Sequence, residues 1–121
     1  MRSLIITVSL LLMALGTTGA QAHAHLDHAN PAVGSTVPTA PQEITLWFTQ
    51  NLETVFSTVE VFDRSGGRVD EGKPNISGNT MRVALKPLSP GTYRVHWHAL
   101  SVDTHTTEGT FTFQVGGAAS N

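Results

Sequence analysis

Apolar residues recur at every second position over much of this chain. Along GTYRVHWHAL, residues 91–100, apolar and polar side chains alternate: Tyr93, Val95, Trp97 and Ala99 against Arg94, His96 and His98. A period of two is that of a β-strand, whose successive side chains point to opposite faces. The same alternation marks four other segments, 42–48, 57–63, 81–85 and 110–115. No window has the i, i+3, i+4 spacing of a capped helix, so we predict an all-β fold.

Turn-forming residues separate these segments at short intervals. Residues 63–67 are DRSGG, and residues 86–91 are KPLSPG, where two prolines and a glycine interrupt a strand ladder. Short strands with frequent turns predict a small antiparallel β-sandwich or barrel. The proline-containing stretch 30–41 is interpreted as an extended crossover within one domain.

The first residues have the pattern of a secretory signal. Arg2 precedes an apolar run over 4–15, and Ala20-Gln21-Ala22 supplies a small-x-small cleavage site. The run is too short to span a bilayer, and a retained membrane anchor is the alternative. Cleavage would remove 22 of 121 residues and leave 99, enough for one domain. We predict a signal peptide over 1–22, an exported domain over 23–116 and a loose tail over 117–121.

Composition excludes several classes of function. The chain has no cysteine, which rules out disulfides, thiolate metal ligands and a thiol nucleophile. Arg2 leaves with the signal, so six of the seven basic residues remain against nine acidic ones. A net negative domain of this kind is not expected to bind nucleic acid.

Three of the six histidines lie in AQAHAHLDH, residues 20–28, at the predicted cleavage site. Cleavage before His23 would free an α-amine on a residue that also carries an imidazole, so both nitrogens can chelate one metal ion. The unperturbed pKa of such an amine, about 7.7 to 8, lets a metal displace its proton at neutral pH. An internal histidine cannot bind a metal in this way.

A second pair of ligand side chains lies in SVDTHTTEG, residues 101–109. Asp103 and His105 are two positions apart and would point to the same side of an extended segment. A lone D-x-H is more often a local hydrogen bond than a metal site. If the N-terminal strand pairs near this loop, however, the His23 amine and imidazole join His105 and Asp103 in an N3O set that suits Cu(II).

Another arrangement competes for copper at the N-terminus. His23-Ala24-His25 with a free amine also fits the amino-terminal copper and nickel motif, in which the third imidazole joins the amine and two deprotonated backbone amides. We favour the site with His105, because the motif would strip Ala24 and His25 of N–H groups that a first strand uses. His25 stays a further candidate ligand, while His28 is expected in solvent.

Two more histidines and two tryptophans have open roles. His96 and His98 share one face of their predicted strand, and such an i, i+2 pair can form a secondary zinc or copper site, although exposed polar histidines are the commoner outcome. Trp97 is predicted in the core. Trp47 is undecided, because its strand is covered on one or on both faces.

The mature sequence resembles the periplasmic copper-binding proteins of the CopC type over essentially all of residues 23–121. The resemblance rests on HAHLDHANPAVGS, on ITLWFTQNL and, most specifically, on GTYRVHWHALSVDTHTTEGTFTFQV. It implies a small Greek-key β-sandwich, cupredoxin- or immunoglobulin-like, that binds Cu(II) through His23, Asp103 and His105. Gln50 occupies the position where many members have an acidic residue, so one anionic contribution is missing.

The resemblance also implies a function. It indicates a non-enzymatic carrier or buffer of copper in the periplasm, in copper homeostasis or resistance, with a CopD-type inner-membrane permease as a recipient. Some members hold Cu(I) in a methionine-rich loop; here only Met81 would survive cleavage, which favours Cu(II) alone. Two other functions stay open: a histidine-brace copper mono-oxygenase, disfavoured by the small surface, and a structural β-sandwich interaction module with incidental histidines.

Overall fold

The structure, a computed structural model, describes residues 24–116. Within that range the chain forms β-strands and no helix. The eight strands are β1 (Leu26–Asn30), β2 (Thr36–Val37), β3 (Glu43–Phe48), β4 (Thr58–Phe62), β5 (Asp70–Ser77), β6 (Thr80–Leu85), β7 (Gly91–Leu100) and β8 (Thr106–Val115). Over the same residues there is consequently no helical segment that could cross a membrane. The predicted signal and tail lie outside the described residues.

The strands form two four-stranded sheets, in the orders β1-β3-β6-β5 and β2-β8-β7-β4. Neighbouring strands are antiparallel except that Thr36–Val37 runs parallel to the end of β8. The stretch 30–41 carries the chain from the first sheet to an edge of the second and back. The predicted β-sandwich is therefore confirmed, with one short parallel pair that the turn pattern did not predict.

Alternation along the strands fills the core between the sheets, as predicted. Its fully buried members come from both sheets and include Ile44, Leu46, Phe48, Val61, Met81, Val83, Val95 and Phe113. The Trp97 ring meets the Phe48 ring edge-on, with 5.1 Å between centroids. Trp97 pairs across the hairpin with Gly109, where a Cβ would lie 2.6 Å from Cζ2 of the indole. Glycine is thus required at 109 because the indole occupies the space of a side chain.

Strand β5 was missed by the sequence analysis. It contains Gly72 and Pro74, lacks a clean alternation, and its register against β6 shifts between Glu71 and Asn75. Such residues are tolerated here because β5 lies at the edge of its sheet. Its first residue, Asp70, is buried and fastens the two sheets at this end.

Asp70 accepts hydrogen bonds from β4 and from the connection between β4 and β5. Its carboxylate accepts hydrogen bonds from Nε and Nη2 of Arg68, at 2.8 and 2.7 Å. It also accepts one from the Val61 N–H, at 2.8 Å. Burial alone would raise the pKa of Asp70, but these hydrogen bonds outweigh it, and the pKa lies below its ordinary value. The carboxylate is therefore ionised in the folded protein at neutral pH.

Replacing Gly109 by alanine is expected to destabilise the fold by about 1 to 3 kcal/mol, because the added methyl displaces the Trp97 indole in a packed core. Chemical denaturation measures the loss, and the near-ultraviolet circular dichroism of the tryptophan should change with it. Thr110→Ser, at the outward-facing neighbour, is the control and should leave both unchanged. An alanine variant as stable as the parent would contradict this account of Gly109.

Replacing Asp70 by asparagine is expected to lower the free energy of unfolding by about 1.5 to 3 kcal/mol at neutral pH, the range for hydrogen bonds to a charged group. A lowered folded-state pKa stabilises the protein above the unfolded pKa of about 3.9, and this stabilisation is lost as pH falls through the folded pKa. The difference between the two proteins should therefore shrink toward pH 3 in urea titrations. Glu71→Gln, at the exposed next residue, is the control and should show no such pH-dependent difference.

Candidate metal centre

The Asp103 and His105 side chains lie on the tight turn that joins β7 to β8. The Ser101 N–H donates to the His105 carbonyl at 3.0 Å, and the Thr104 N–H donates to the Ser101 carbonyl at 2.8 Å. Thr104 has a φ of 74°, a left-handed conformation that a β-branched residue rarely adopts. A three-residue hairpin loop commonly ends in such a residue. The turn, and not the extended segment we expected, brings Asp103 and His105 together.

The two side chains make direct contact, and the carboxylate is the anionic member. Oδ1 of Asp103 lies 3.4 Å from Nδ1 of His105. The Ser101 hydroxyl donates to the same oxygen and is the main reason why the pKa of Asp103 lies below its ordinary value. About a third of the Asp103 side chain and 55% of the His105 side chain are exposed. An ionised carboxylate and an imidazole are thus both accessible to an ion from solvent.

The described N-terminus lies beside this turn. Ala24 is fully buried, and its carbonyl accepts a hydrogen bond from Oγ1 of Thr107 at 2.5 Å. Thr107 follows His105 by two residues and belongs to β8, which begins directly after His105. His23 itself lies outside the described residues.

The end of β3 completes the surroundings. The His25 N–H donates to Oγ1 of Thr49 at 2.9 Å, and the Thr49 N–H donates to the His25 carbonyl, also at 2.9 Å. Two residues later the Asn51 carbonyl accepts the Val102 N–H at 3.1 Å. Gln50, half-buried, lies between these two connections. The backbone next to Gln50 is therefore fastened both to the N-terminal segment and to the turn.

The remaining histidines lie elsewhere. His28 pairs with Asp27 at 2.8 Å and stacks on Trp47, with ring centroids 4.3 Å apart, so it is exposed but not simply solvated. His96 and His98 point outward from β7. Within residues 24–116, no three His, Asp or Glu side chains already surround a point that a metal ion could take.

Two residues that organise the centre escaped the sequence analysis. Ser101 was quoted only as part of a motif, although its spacing to Asp103 is a local signal for the hydrogen bond that it makes. Thr107 gave no signal, since its partner Ala24 lies 83 residues away in the chain.

Known proteins share both the sequence and the fold. Residues 26–116 match the CopC domain family. Over 118 residues the chain is 37% identical to Protein YobA of Escherichia coli (strain K12), covering 94% of this chain and 95% of that protein. It is 38% identical over 105 residues to copper resistance protein C of Pseudomonas syringae pv. tomato, covering 79% of this chain and 82% of that protein.

A solved structure gives the same result. The crystal structure of PcoC, a methionine-rich copper resistance protein from Escherichia coli, superimposes with a TM-score of 0.69 at 35% identity, covering 78% of this chain and 100% of that one. Sequence and fold agree over the described domain, which confirms the resemblance carried by the three motifs. The chain belongs to the CopC family.

Proposed function

We propose that this protein is an exported, non-enzymatic carrier or buffer of copper that binds Cu(II) as cargo through four donors. These are the α-amine and imidazole of His23, freed by cleavage after Ala22, the His105 imidazole and an Asp103 oxygen. Membership in a family of copper resistance proteins supports a copper-binding role in copper homeostasis. The ligand set, the oxidation state and the periplasmic location are our proposal.

The hydrogen bond between Thr107 and Ala24 carries this proposal. It fastens the residue after His23 to the strand that begins directly after His105. The proposed ligand set requires the N-terminal segment to lie near the D-x-H turn. The burial of Ala24 beside β8 supports a His23 amine within reach of the turn.

The donor chemistry fits Cu(II). Three nitrogens and one oxygen suit a tetragonal ion, and divalent copper binds nitrogen donors more tightly than the other first-row divalent ions. The low pKa of Asp103 keeps its carboxylate anionic. Met81, the one methionine among residues 24–116, is fully buried in the core, so its soft thioether is out of reach of an ion at the turn. These features favour the oxidised ion.

The competing amino-terminal motif is disfavoured by the backbone of His25. That motif needs the His25 amide nitrogen deprotonated and bound to copper. Here the same N–H donates to Thr49, which joins the residue before β1 to the residue after β3. Binding in the motif would break this hydrogen bond, whereas binding at His23 and His105 keeps it. His25 and Gln50 stay in the surroundings of the site as accessory candidates.

A carrier fits the site better than an enzyme. Four donors without an open position leave little for a substrate to bind. The exposed His105 imidazole allows exchange of the ion with another copper protein. A CopD-type inner-membrane permease is the recipient that the family implies.

Adding one glycine before His23 of the mature protein is expected to weaken Cu(II) binding about 100-fold or more. The amine moves away from the imidazole, and even loss of a group that only supports a metal ligand costs 10- to 100-fold. His105→Ala should act similarly, and the electron paramagnetic resonance spectrum of each should show fewer nitrogen ligands. Competition with a chelator measures the affinity.

His28→Ala is the matched control and should bind copper as the parent does. A glycine-extended protein with unchanged affinity would overturn the proposed ligand set. Loss of tight binding in His25→Ala but not in His105→Ala would establish the amino-terminal motif instead. Oxidation of an added substrate by the copper form with ascorbate and oxygen would make the protein an oxygenase.

Gln50→Glu is expected to tighten Cu(II) binding about tenfold, equivalent to about 1.4 kcal/mol, because it restores an anionic oxygen beside the turn. Gln42→Glu adds the same charge before β3, at the opposite end of that strand from Gln50, and should change the affinity little. Equal gains in both variants would mean that net charge, and not a local contact, causes the effect.

A further inference from the structure

A second group of nitrogen and oxygen donors lies on the outward face of the β4-β7-β8 sheet. His96 and His98 occupy alternate positions on β7, and the register places Glu108 of β8 directly across from His98. The two imidazole rings are 5.6 Å apart between centroids. This cluster shares no residue with the proposed copper site.

Both imidazoles direct Nε2 to the same carboxylate oxygen. Oε1 of Glu108 lies 2.7 Å from Nε2 of His98 and 3.6 Å from Nε2 of His96. A tetrahedral ion with bonds of about 2.0 to 2.1 Å has donor–donor edges of about 3.3 Å. The two observed distances lie on either side of that value. The three donors do not surround an ion in the arrangement described, and rotation of the side chains would have to bring them together.

The other ring nitrogen of His96 faces a second carboxylate. Its Nδ1 is 3.6 Å from Oε1 of Glu60, which lies across from His96 on β4. Glu60 is in turn paired with Arg68 at 3.4 Å, and Arg68 is held by Asp70. A histidine that binds a metal usually directs its other ring nitrogen to a carboxylate or carbonyl, which fixes the tautomer. Glu60 is placed to do so for His96.

We propose that His96, His98 and Glu108 bind a second divalent ion, Zn²⁺ or Cu²⁺, on the outer face of the β7-β8 hairpin. Imidazole donors select these ions over magnesium or calcium, and three protein donors leave a fourth position for water. In the arrangement described, Glu108 contacts His98 directly. A bound ion would lie between these two side chains and replace their direct contact. All three side chains reach solvent, so their rotation is not restricted by the core.

The two sites are distinct in position. His105 precedes Glu108 by three residues, about 10 Å along a strand. Glu108 belongs to the exposed face of β8, whereas the core face of the same strand carries Phe111 and Phe113. One ion cannot use both sets of donors.

The test uses the mature full-length protein with the glycine extension and His105→Ala, which disable the proposed copper site. Isothermal titration with zinc chloride, monitored in parallel by the histidine proton signals in nuclear magnetic resonance, is expected to show one bound ion with shifts at His96 and His98. Replacing either His96 or His98 by alanine should weaken the binding at least tenfold. Glu108→Gln should weaken it less, since the amide keeps an oxygen donor.

His28→Ala is the matched control, because His28 also pairs with a carboxylate, Asp27, at 2.8 Å but has no histidine two residues away. It should bind zinc unchanged. Zinc binding that survives both His96→Ala and His98→Ala, or no zinc binding in the parent, overturns the proposal. The copper site is disabled in every protein of this test, so the zinc result does not depend on it. Failure of the proposed copper ligand set would instead appear as tight copper binding that the glycine extension does not remove. Circular dichroism verifies that each variant is folded.

Discussion

The pairing of β7 with β8 is the constraint on which the rest of the structure depends. Ten residue pairs run without interruption from Gly91 and Val115 to Leu100 and Thr106. This register directs Trp97 into the core and the histidines beside it to the outer face, and it closes the hairpin with the turn that carries Asp103 and His105. A slip of one residue would exchange the two faces, so both proposed metal sites depend on it.

The proposed copper site combines donors from the two ends of the domain. Ala24 and Thr107, 83 residues apart, are joined by one hydrogen bond, and bringing such distant segments together costs conformational entropy that only the whole fold offsets. The proposed donors would therefore converge in the folded chain and not in the unfolded one. A ligand that binds the folded state alone stabilises it by linkage, so the proposed copper site would couple copper occupancy to the stability of this small, cysteine-free domain.

Much of the sandwich followed from sequence because its strands have one buried face. The alternation in β3, β4, β6, β7 and β8 predicted both their existence and their inward residues. Strand β5 was missed because an edge strand with Gly72 and Pro74 has no strong alternation to detect. The parallel pairing of β2 was missed because two residues carry no periodic signal. Trp47 proved half-buried and stacked on His28, an arrangement set by the neighbouring β1.

The sequence by itself determined the all-β character, the absence of thiol chemistry, the family and the D-x-H spacing. All of these follow from local patterns or from motifs that can be compared directly. Only the tertiary structure decided that Ala24 is fastened to Thr107 of β8 and that Glu108 faces His98. Those contacts depend on strand order and register, which place residues from different strands side by side. An alternation with a period of two does not determine which strands become neighbours.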